Sequence, residues 1–386
     1  MSGVAIIGAG HAGAHTAIAL RAAGYRGPVT LVGDEPAIPY NRPPLSKQFL
    51  QPGPAEPQLA IRPDDFWREH EIDLRLGNRA AHVDRAKRAV ELTDGGTIEF
   101  GHLVLATGSR ARTMNAPGGF RTLRTVDDAV AIRESLGGSS RVVIVGAGFV
   151  GLELAAAARA LGAEVTVIEA ATSVLARVLS EQTADHVRSV HERHGVKFVM
   201  GRAVRALTER SVALDSGDEI VGDLIVVGIG AVPNVDLARS AGLAVSDGVV
   251  VDEFLRTSDP DIFAIGDCAR FPCAVSGKTL RLESIQNGTD QARYIADSVV
   301  GLPSRPYRAV PYFWTQQFSH KVMIAGVAGR ADRSILRGDP DSDSFSVWRY
   351  DDDGKLTAVE SVNAPADHVQ ARRLLEAGAT ERHPDH

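Results

Sequence analysis

Two glycine clusters carry the clearest chemical signal in this chain: Gly8-Ala9-Gly10-His11-Ala12-Gly13 and Gly146-Ala147-Gly148-Phe149-Val150-Gly151. In this spacing the first glycine makes a tight turn and the second lets the backbone approach a pyrophosphate. The third lets the following helix pack close to the preceding strand. The helix N-terminus then offers unpaired N–H groups to phosphate oxygens. A lone cluster of this kind is a weak signal. Here each one follows an apolar strand, opens a helix and is followed by an acid at the end of the next strand. The acids are Asp34, 21 residues after Gly13, and Glu169, 18 residues after Gly151. This is close to the spacing at which a carboxylate accepts ribose hydroxyl hydrogen bonds. A carboxylate there repels a ribose 2′-phosphate, and no arginine follows it immediately, Arg177 being eight residues on. The second cluster is therefore expected to bind NADH in preference to NADPH.

Two dinucleotide sites in 386 residues suggest two dinucleotides meeting face to face. Neither cluster offers a nucleophile or a metal, so the group exchanged is expected to be a hydride, and FAD with NAD(H) is the pair that exchanges one. A further segment, Asp261-Ile262-Phe263-Ala264-Ile265-Gly266-Asp267, reads as a strand ending in a glycine and an acid. Asp267 then suits a carboxylate facing the flavin ribityl chain or pyrophosphate.

The elements that must position these residues form a repeat. Val4–Ile7 reads as a buried strand, a helix runs from the first cluster to Ala23, Gly24 stops it, and Val29–Val32 is the next strand. The same grammar returns with Val142–Val145, a helix to Leu161 stopped by Gly162, and Val165–Ile168. Each copy continues with a hairpin: Val90 and Leu92, a turn at Asp94-Gly95-Gly96, then Ile98 and Phe100 in the first; Val212 and Leu214, a turn at Ser216-Gly217-Asp218, then Ile220 in the second. An apolar strand follows, Leu103–Leu105 into Ala106-Thr107-Gly108, and Leu224–Val227 into Gly228-Ile229-Gly230. The first copy exceeds the second by 16 residues, an excess that fits Pro36–Pro57 with its seven prolines. Prolines that dense oppose helix and central strand, so this stretch is expected to be a shaped loop special to one copy. After Gly230 come a strand at Val249–Val251 and a helix over Leu282–Val300. From Pro311 the spacing predicts strands at Val322–Val327, Ser344–Tyr350 and Leu356–Ser361, then a helix at Ala366–Ala377.

The predicted architecture is α/β: two Rossmann-like, glutathione-reductase-like FAD/NAD(P)-binding domains and a small C-terminal α+β domain. The FAD domain is expected over 1–109 and 232–309, the NADH domain over 110–231 and the third over 310–386. Composition narrows the class further. With 42 basic and 48 acidic residues the net charge is −6, a poor basis for nucleic-acid binding. The apolar start lacks the basic region of a signal peptide, and the run Val142–Leu152 is too short to span a bilayer. A cytoplasmic location is expected, with no membrane partner. The two cysteines exclude a disulfide framework.

At this point the residues resemble a family. Pro39-Tyr40-Asn41-Arg42-Pro43-Pro44-Leu45-Ser46-Lys47, Leu105-Ala106-Thr107-Gly108, Gly148-Phe149-Val150-Gly151-Leu152-Glu153-Leu154-Ala155, Ile262 to Asp267 and Pro311-Tyr312-Phe313-Trp314 resemble the FAD-dependent NADH:ferredoxin reductases of bacterial oxygenase systems, the putidaredoxin reductase and biphenyl dioxygenase reductase group. The resemblance spans nearly the whole chain. It implies that Asp34 holds the FAD adenosine ribose, and that Arg42 and Lys47 reach the flavin side. Lys47 then pairs with Glu153 near the flavin ring, where a cation favours hydride acceptance. It also implies that Val83, Arg112, Arg124 and Ile285 line the FAD, that Ile229, Gly230 and Glu283 border the nicotinamide, and that Trp314 covers the flavin. Two departures stand out. Where the family often has Trp-Ser-Asp-Gln this chain has Trp314-Thr315-Gln316-Gln317, and Asn363-Ala364-Pro365 is followed by Ala366-Asp367-His368 in place of a basic residue and an aromatic.

The activity implied is reduction of FAD by NADH and single-electron transfer to a 2Fe–2S ferredoxin that feeds a haem or Rieske oxygenase, by a monomer or weak dimer. Arg42, Lys47, Arg308 and Lys321 are the expected docking cations for an acidic ferredoxin. Cys268 and Cys273 have the C-x4-C spacing of dithiol flavoenzymes, but they follow Asp267 and include Pro272, so they are read as plain thiols. His11 and His15, four apart on the first helix, are read as packing or phosphate-contacting residues and not as metal ligands. Two other activities stand beside this one. The first is a rubredoxin reductase or diaphorase; the second is an NADH-sensing interaction protein resembling apoptosis-inducing factor.

Overall fold

Val4–Ile7 is buried at every position, as expected of a short apolar run in a parallel sheet covered on both faces. It lies at the centre of a five-stranded parallel sheet whose spatial order is Ile262–Ala264, His102–Leu105, Val4–Ile7, Val29–Val32 and Ile72–Arg75. A second parallel sheet repeats the pattern with Lys197–Met200, Glu164–Glu169, Arg141–Val145 and Leu224–Val227. Each copy carries a three-stranded antiparallel sheet, Ala80–Asp84, Ala89–Leu92 and Thr97–Glu99 in the first, Val204–Leu207, Ser211–Leu214 and Glu219–Val221 in the second. In this computed structural model residues 3–51, 59–116, 119–137, 140–303, 305–329 and 332–378 are described. The chain divides into two units, Met1–Asn41 with Leu59–Arg110 and Pro233–Phe313, and Arg42–Gln58 with Ala111–Val232 and Trp314–His386.

The two fingerprint helices, His11–Ala22 and Phe149–Ala160, end in the same way. Gly24 and Gly162 take left-handed backbone (φ +85° and +84°), and the next amides, Tyr25 and Ala163, reach back to the carbonyls of Leu20 and Ala158. This is the Schellman cap that an α-helix followed by glycine adopts. In the first unit the helix Ile285–Val299 packs against His11–Ala22. It begins three residues later than the apolar pattern predicts, because the Ser284 hydroxyl accepts from Asn287 N and caps it.

In the second unit the strands His320–Gly326, Leu356–Val362, Ser344–Tyr350 and Arg333–Asp339 form an antiparallel sheet with Tyr312–Gln317 at its edge. The helix Pro365–Ala377 packs on this sheet. Glu360, 1% exposed, pairs with Arg349 at 3.2 Å and accepts from both the amide and the hydroxyl of Ser180. Removing one partner of such a buried pair strands the other charge, so Glu360→Ala is expected to cost about 3–5 kcal/mol. Chemical denaturation measures this directly, and an unchanged midpoint would contradict it.

The proline-rich stretch departs from the loop expected of it. Pro43–Ser46 and Gln48–Leu50 are short 3₁₀ helices, since proline fits the first positions of a helical turn, where its missing N–H has no partner to lose. Residues 52–57 of this stretch lie outside the described residues. No helix among the described residues is long and apolar enough to cross a membrane.

Candidate functional site

The two glycine clusters are built alike. A Cβ on Gly13 would stand 1.9 Å from the Gly8 carbonyl oxygen, and one on Gly151 would stand 2.2 Å from that of Gly146. Only glycine permits this approach of helix to turn. Gly10 and Gly148 are the N-caps, and no side-chain hydrogen bond caps either helix. At Gly10 a Cβ would meet nothing within 4 Å. At Gly148 only the Gly228 carbonyl oxygen comes within 4 Å, at 3.8 Å. Helix N-termini without a side-chain cap are what a pyrophosphate requires, so both clusters fit a dinucleotide.

Around the first cluster the fold gathers Ala12, Asp267, Ser109 and Gln291. Gly266 comes within 3.0 Å of the Ala12 Cβ, measured from its own ideal Cβ, and its amide donates to the Gln291 side chain at 2.7 Å. Ser109 Oγ donates to Asp267 Oδ2 at 2.9 Å. Gln291 is fully buried and fixes the turn that carries Asp267; a helical position with an amide side chain gave no signal of this in the sequence. His11 Nε2 lies 2.9 Å from Thr289 Oγ1, and its ring lies 4.2 Å from that of His15. Burial first, then His15, pushes His11 down to about 4, against an opposing pull from Asp267. His11 is thus neutral at pH 7. Thr107 and Gly108 are tied to Asn234, whose side chain donates to Thr107 O and whose carbonyl accepts from Thr107 Oγ1. Asp34 is exposed, while the adjacent Glu35 accepts a 2.5 Å hydrogen bond from Tyr40. Val83 is 2% exposed in the core, and Ile285 is the first residue of its helix. Glu283 pairs with Arg281, which also donates to the Asp267 carbonyl.

At the second cluster Glu169 Oε2 accepts from Ala147 N at 2.7 Å and Oε1 from Ala171 N at 2.9 Å. These bonds aim the carboxylate across the glycine turn. The Arg177 guanidinium reaches 3.6 Å from an ideal Cβ on Gly230, beside Ile229, and Arg112 donates its amide to the Gly230 carbonyl. Fold therefore brings Arg177 to the second site although it stands eight residues past Glu169 in sequence.

Lys47 and Glu153 meet in the second unit. Lys47 Nζ lies 2.7 Å from Glu153 Oε2, with side chains 17% and 6% exposed. Lys47 sits between the two 3₁₀ turns and also donates to Pro43 O. Two hydroxyls complete the carboxylate: Ser46 Oγ donates to Oε2 and Thr315 Oγ1 to Oε1, each at 2.5 Å. Gln317 donates to Thr315 Oγ1 and accepts from His191 Nε2. Nothing in the contiguous sequence marks Ser46 and Thr315 for this role, because a hydroxyl in a loop or strand carries no spacing of its own. The departure at Gln316 falls on an exposed position of this strand, between buried Thr315 and Gln317. The Trp314 ring is flanked by Lys47 and Lys321, with Nζ atoms 5.3 and 6.0 Å from its centroid. Arg42 donates to the Arg124 carbonyl at 2.6 Å and Lys47 is mostly buried; Lys321 and Arg308 are the members of the expected docking set at exposed positions. Cys268 and Cys273 are buried free thiols, and burial raises the Cys268 thiol above its ordinary value.

A chain with two parallel Rossmann-like sheets, two fingerprint turns and a buried lysine–carboxylate pair is an oxidoreductase of the two-dinucleotide class. Residues 2–292 match the pyridine nucleotide-disulphide oxidoreductase family and residues 312–385 match the reductase C-terminal family. Rhodocoxin reductase of Rhodococcus erythropolis is 44% identical over 381 residues, covering 96% of this chain and 89% of its own. Among solved structures, the ferredoxin reductase for the CYP199A2 system of Rhodopseudomonas palustris superposes with a TM-score of 0.94 at 41% identity, covering 99% of this chain and 96% of its own. The covalent putidaredoxin reductase–putidaredoxin complex gives 0.94 at 35% identity, covering 98% and 94%. The chain belongs to the ferredoxin–NAD(P)+ reductases. It is a flavoprotein that uses FAD and NAD(H).

Proposed function

We propose that this reductase takes hydride from NADH and delivers electrons singly to a 2Fe–2S ferredoxin serving a haem or Rieske oxygenase. The observation that carries the reading is the Lys47–Glu153 pair, held by Ser46 and Thr315 on the helix that opens at the second fingerprint. Bound FAD supplies the conversion of a two-electron donor into two one-electron transfers.

The chain's own residues do the rest. The FAD domain is assigned to 1–109 and 232–309, with Gly8, Gly10, His11, Ala12 and Gly13 presenting backbone to its pyrophosphate and Asp34 and Asp267 holding its hydroxyls. Neutral His11 fits there because it can donate one hydrogen bond without adding a mobile charge. Arg42 and Arg124 brace the flavin side, and Trp314 covers it. The NADH domain is assigned to 110–231, with Gly146, Gly148, Phe149, Val150 and Gly151 at the pyrophosphate and Glu169 against the ribose. The carboxylate of Glu169 disfavours a 2′-phosphate, so NADH is the preferred donor. The chain works in a reducing cytoplasm, as a monomer or weak dimer.

Anaerobic stopped-flow tests this assignment. Reduction by NADH is expected to be fast and reduction by NADPH slow, with rapid reoxidation by a 2Fe–2S ferredoxin. A long-lived reduced complex with no transfer to ferredoxin would favour the sensing role instead, and efficient transfer only to a rubredoxin would favour that acceptor. The exposed cations Arg308 and Lys321 are assigned to attract the acidic partner. Reversing both charges should raise the ferredoxin KM at low salt and have little effect at high salt; an unchanged KM at low salt would remove them from the docking surface.

A further inference from the structure

We propose that His186, His320 and Asp343 form a binding site for one Zn2+ ion, separate from the redox site. They come from three elements of the second unit: the helix Glu181–Arg193, the first residue of the strand His320–Gly326, and the residue after the 3₁₀ turn Pro340–Ser342. Each offers one ligand atom, and the three atoms lie within 4.8 Å of one another.

The spacing suits a metal better than it suits hydrogen bonds. His186 Nε2 and His320 Nε2 lie 3.6 and 3.3 Å from the same oxygen, Asp343 Oδ1. Tetrahedral Zn2+ with ligands at about 2.0–2.1 Å has ligand–ligand edges of about 3.3 Å. Both nitrogens are buried and neither makes a hydrogen bond, although the residues are only 8% and 7% exposed. Two buried imidazole nitrogens that fall short of hydrogen-bond geometry, both held at ion-pair distance from one carboxylate oxygen, leave a need that a cation meets. Two imidazoles and one carboxylate suit Zn2+ and not Mg2+ or Ca2+, which favour all-oxygen sets.

The surroundings hold the ligands in place and leave a way in. The His186 ring rests edge-on against Phe345 at 5.0 Å. The backbone of Asp343 is fixed by its amide donating to Pro340 O and by Asn363 Nδ2 donating to its carbonyl. Its side chain is 43% exposed, which gives an ion access from solvent. The present countercharge is Arg193, whose Nη2 lies 3.3 Å from the same Oδ1 with its side chain 52% exposed. Zn2+ would displace this guanidinium. Three protein ligands leave a fourth position for water.

The test is isothermal titration of the chelator-treated, untagged, FAD-loaded full chain with Zn2+ alone, beside thermal denaturation with and without the ion. The expected result is one ion per chain and a rise in Tm with Zn2+. His320→Gln and Asp343→Asn should each weaken that binding at least tenfold and abolish the Tm rise. Arg193→Gln, a surface change that removes the competing cation, should tighten it. If the wild-type chain takes up no ion, or if Asp343→Asn binds as the wild type does, the proposal is overturned. If His320→Gln does not fold, Asp343→Asn and Arg193→Gln decide alone, and the absence of either expected change overturns it.

Discussion

Lys47→Met is expected to slow NADH-dependent flavin reduction roughly a hundredfold while the protein still binds FAD. The ammonium is mostly buried and lies 2.7 Å from Glu153, so its charge acts in a poorly screened setting. The proposed role of Lys47 is to place a positive charge close to where negative charge collects as hydride arrives. The substitution also leaves the Glu153 carboxylate with two hydroxyl donors and no countercharge. A stability loss of about 3–5 kcal/mol should accompany the slower rate. The double change Lys47→Met with Glu153→Gln separates these effects, because it should restore much of the stability and none of the rate. Stopped-flow reduction and denaturant melts read the two quantities. A rate within twofold of the wild type in Lys47→Met would show that the lysine is structural only.

Gly151→Ala and Gly13→Ala should produce opposite defects from the same collision. Each added methyl would overlap a carbonyl oxygen at about 2 Å, that of Gly146 in one case and Gly8 in the other. The helix must move away from its turn by the better part of an ångström, a misplacement that can lower a rate roughly a hundredfold. Gly151→Ala is expected to purify yellow, with FAD bound and reducible by dithionite, but to react with NADH at about 1% of the normal rate. Gly13→Ala is expected to purify without FAD. Absorbance spectra and NADH kinetics distinguish them. A Gly151→Ala protein that loses FAD and keeps its NADH response would invert the assignment of the two copies.

Much of this fold could be read from the chain because its central strands are continuous apolar runs and its fingerprint helices begin and end on glycines. Val4–Ile7, Val29–Val32 and Leu224–Val227 stand where the apolar pattern predicts them. Several of the elements that the apolar pattern does not mark are polar. Ile72–Arg75 and Arg333–Asp339 lie at sheet edges, and their charged residues hide the strand period. Glu181–Arg193 is a helix with a mostly polar sequence and Val126–Ser135 is half polar, and their start signals are local: a capping box at Thr125 with Asp128, and a Ser180 cap.

The site divides along the same line. Glycine spacing and strand-end acids are written into contiguous sequence. Ser46, Thr315, Gln291 and Asn234 depend on partners far away in the chain, and no local rule ties a hydroxyl or an amide to a carboxylate or turn that folding alone brings near. Arg177 shows the converse, since sequence distance from Glu169 understated how closely the fold sets it against Gly230.

The carboxylate of Glu153 takes one hydroxyl from 107 residues upstream and another from 162 residues downstream. Contacts of such separation close long loops, and loop closure costs chain entropy before the contact returns any energy. Thr315 lies C-terminal to every strand of the two parallel sheets, so the cluster is expected to be completed only once the C-terminal sheet has delivered it. During refolding the return of NADH reactivity should trail the return of far-UV ellipticity, and a chain still emerging from the ribosome would have its nucleotide-binding sheets before it has a competent reducing centre.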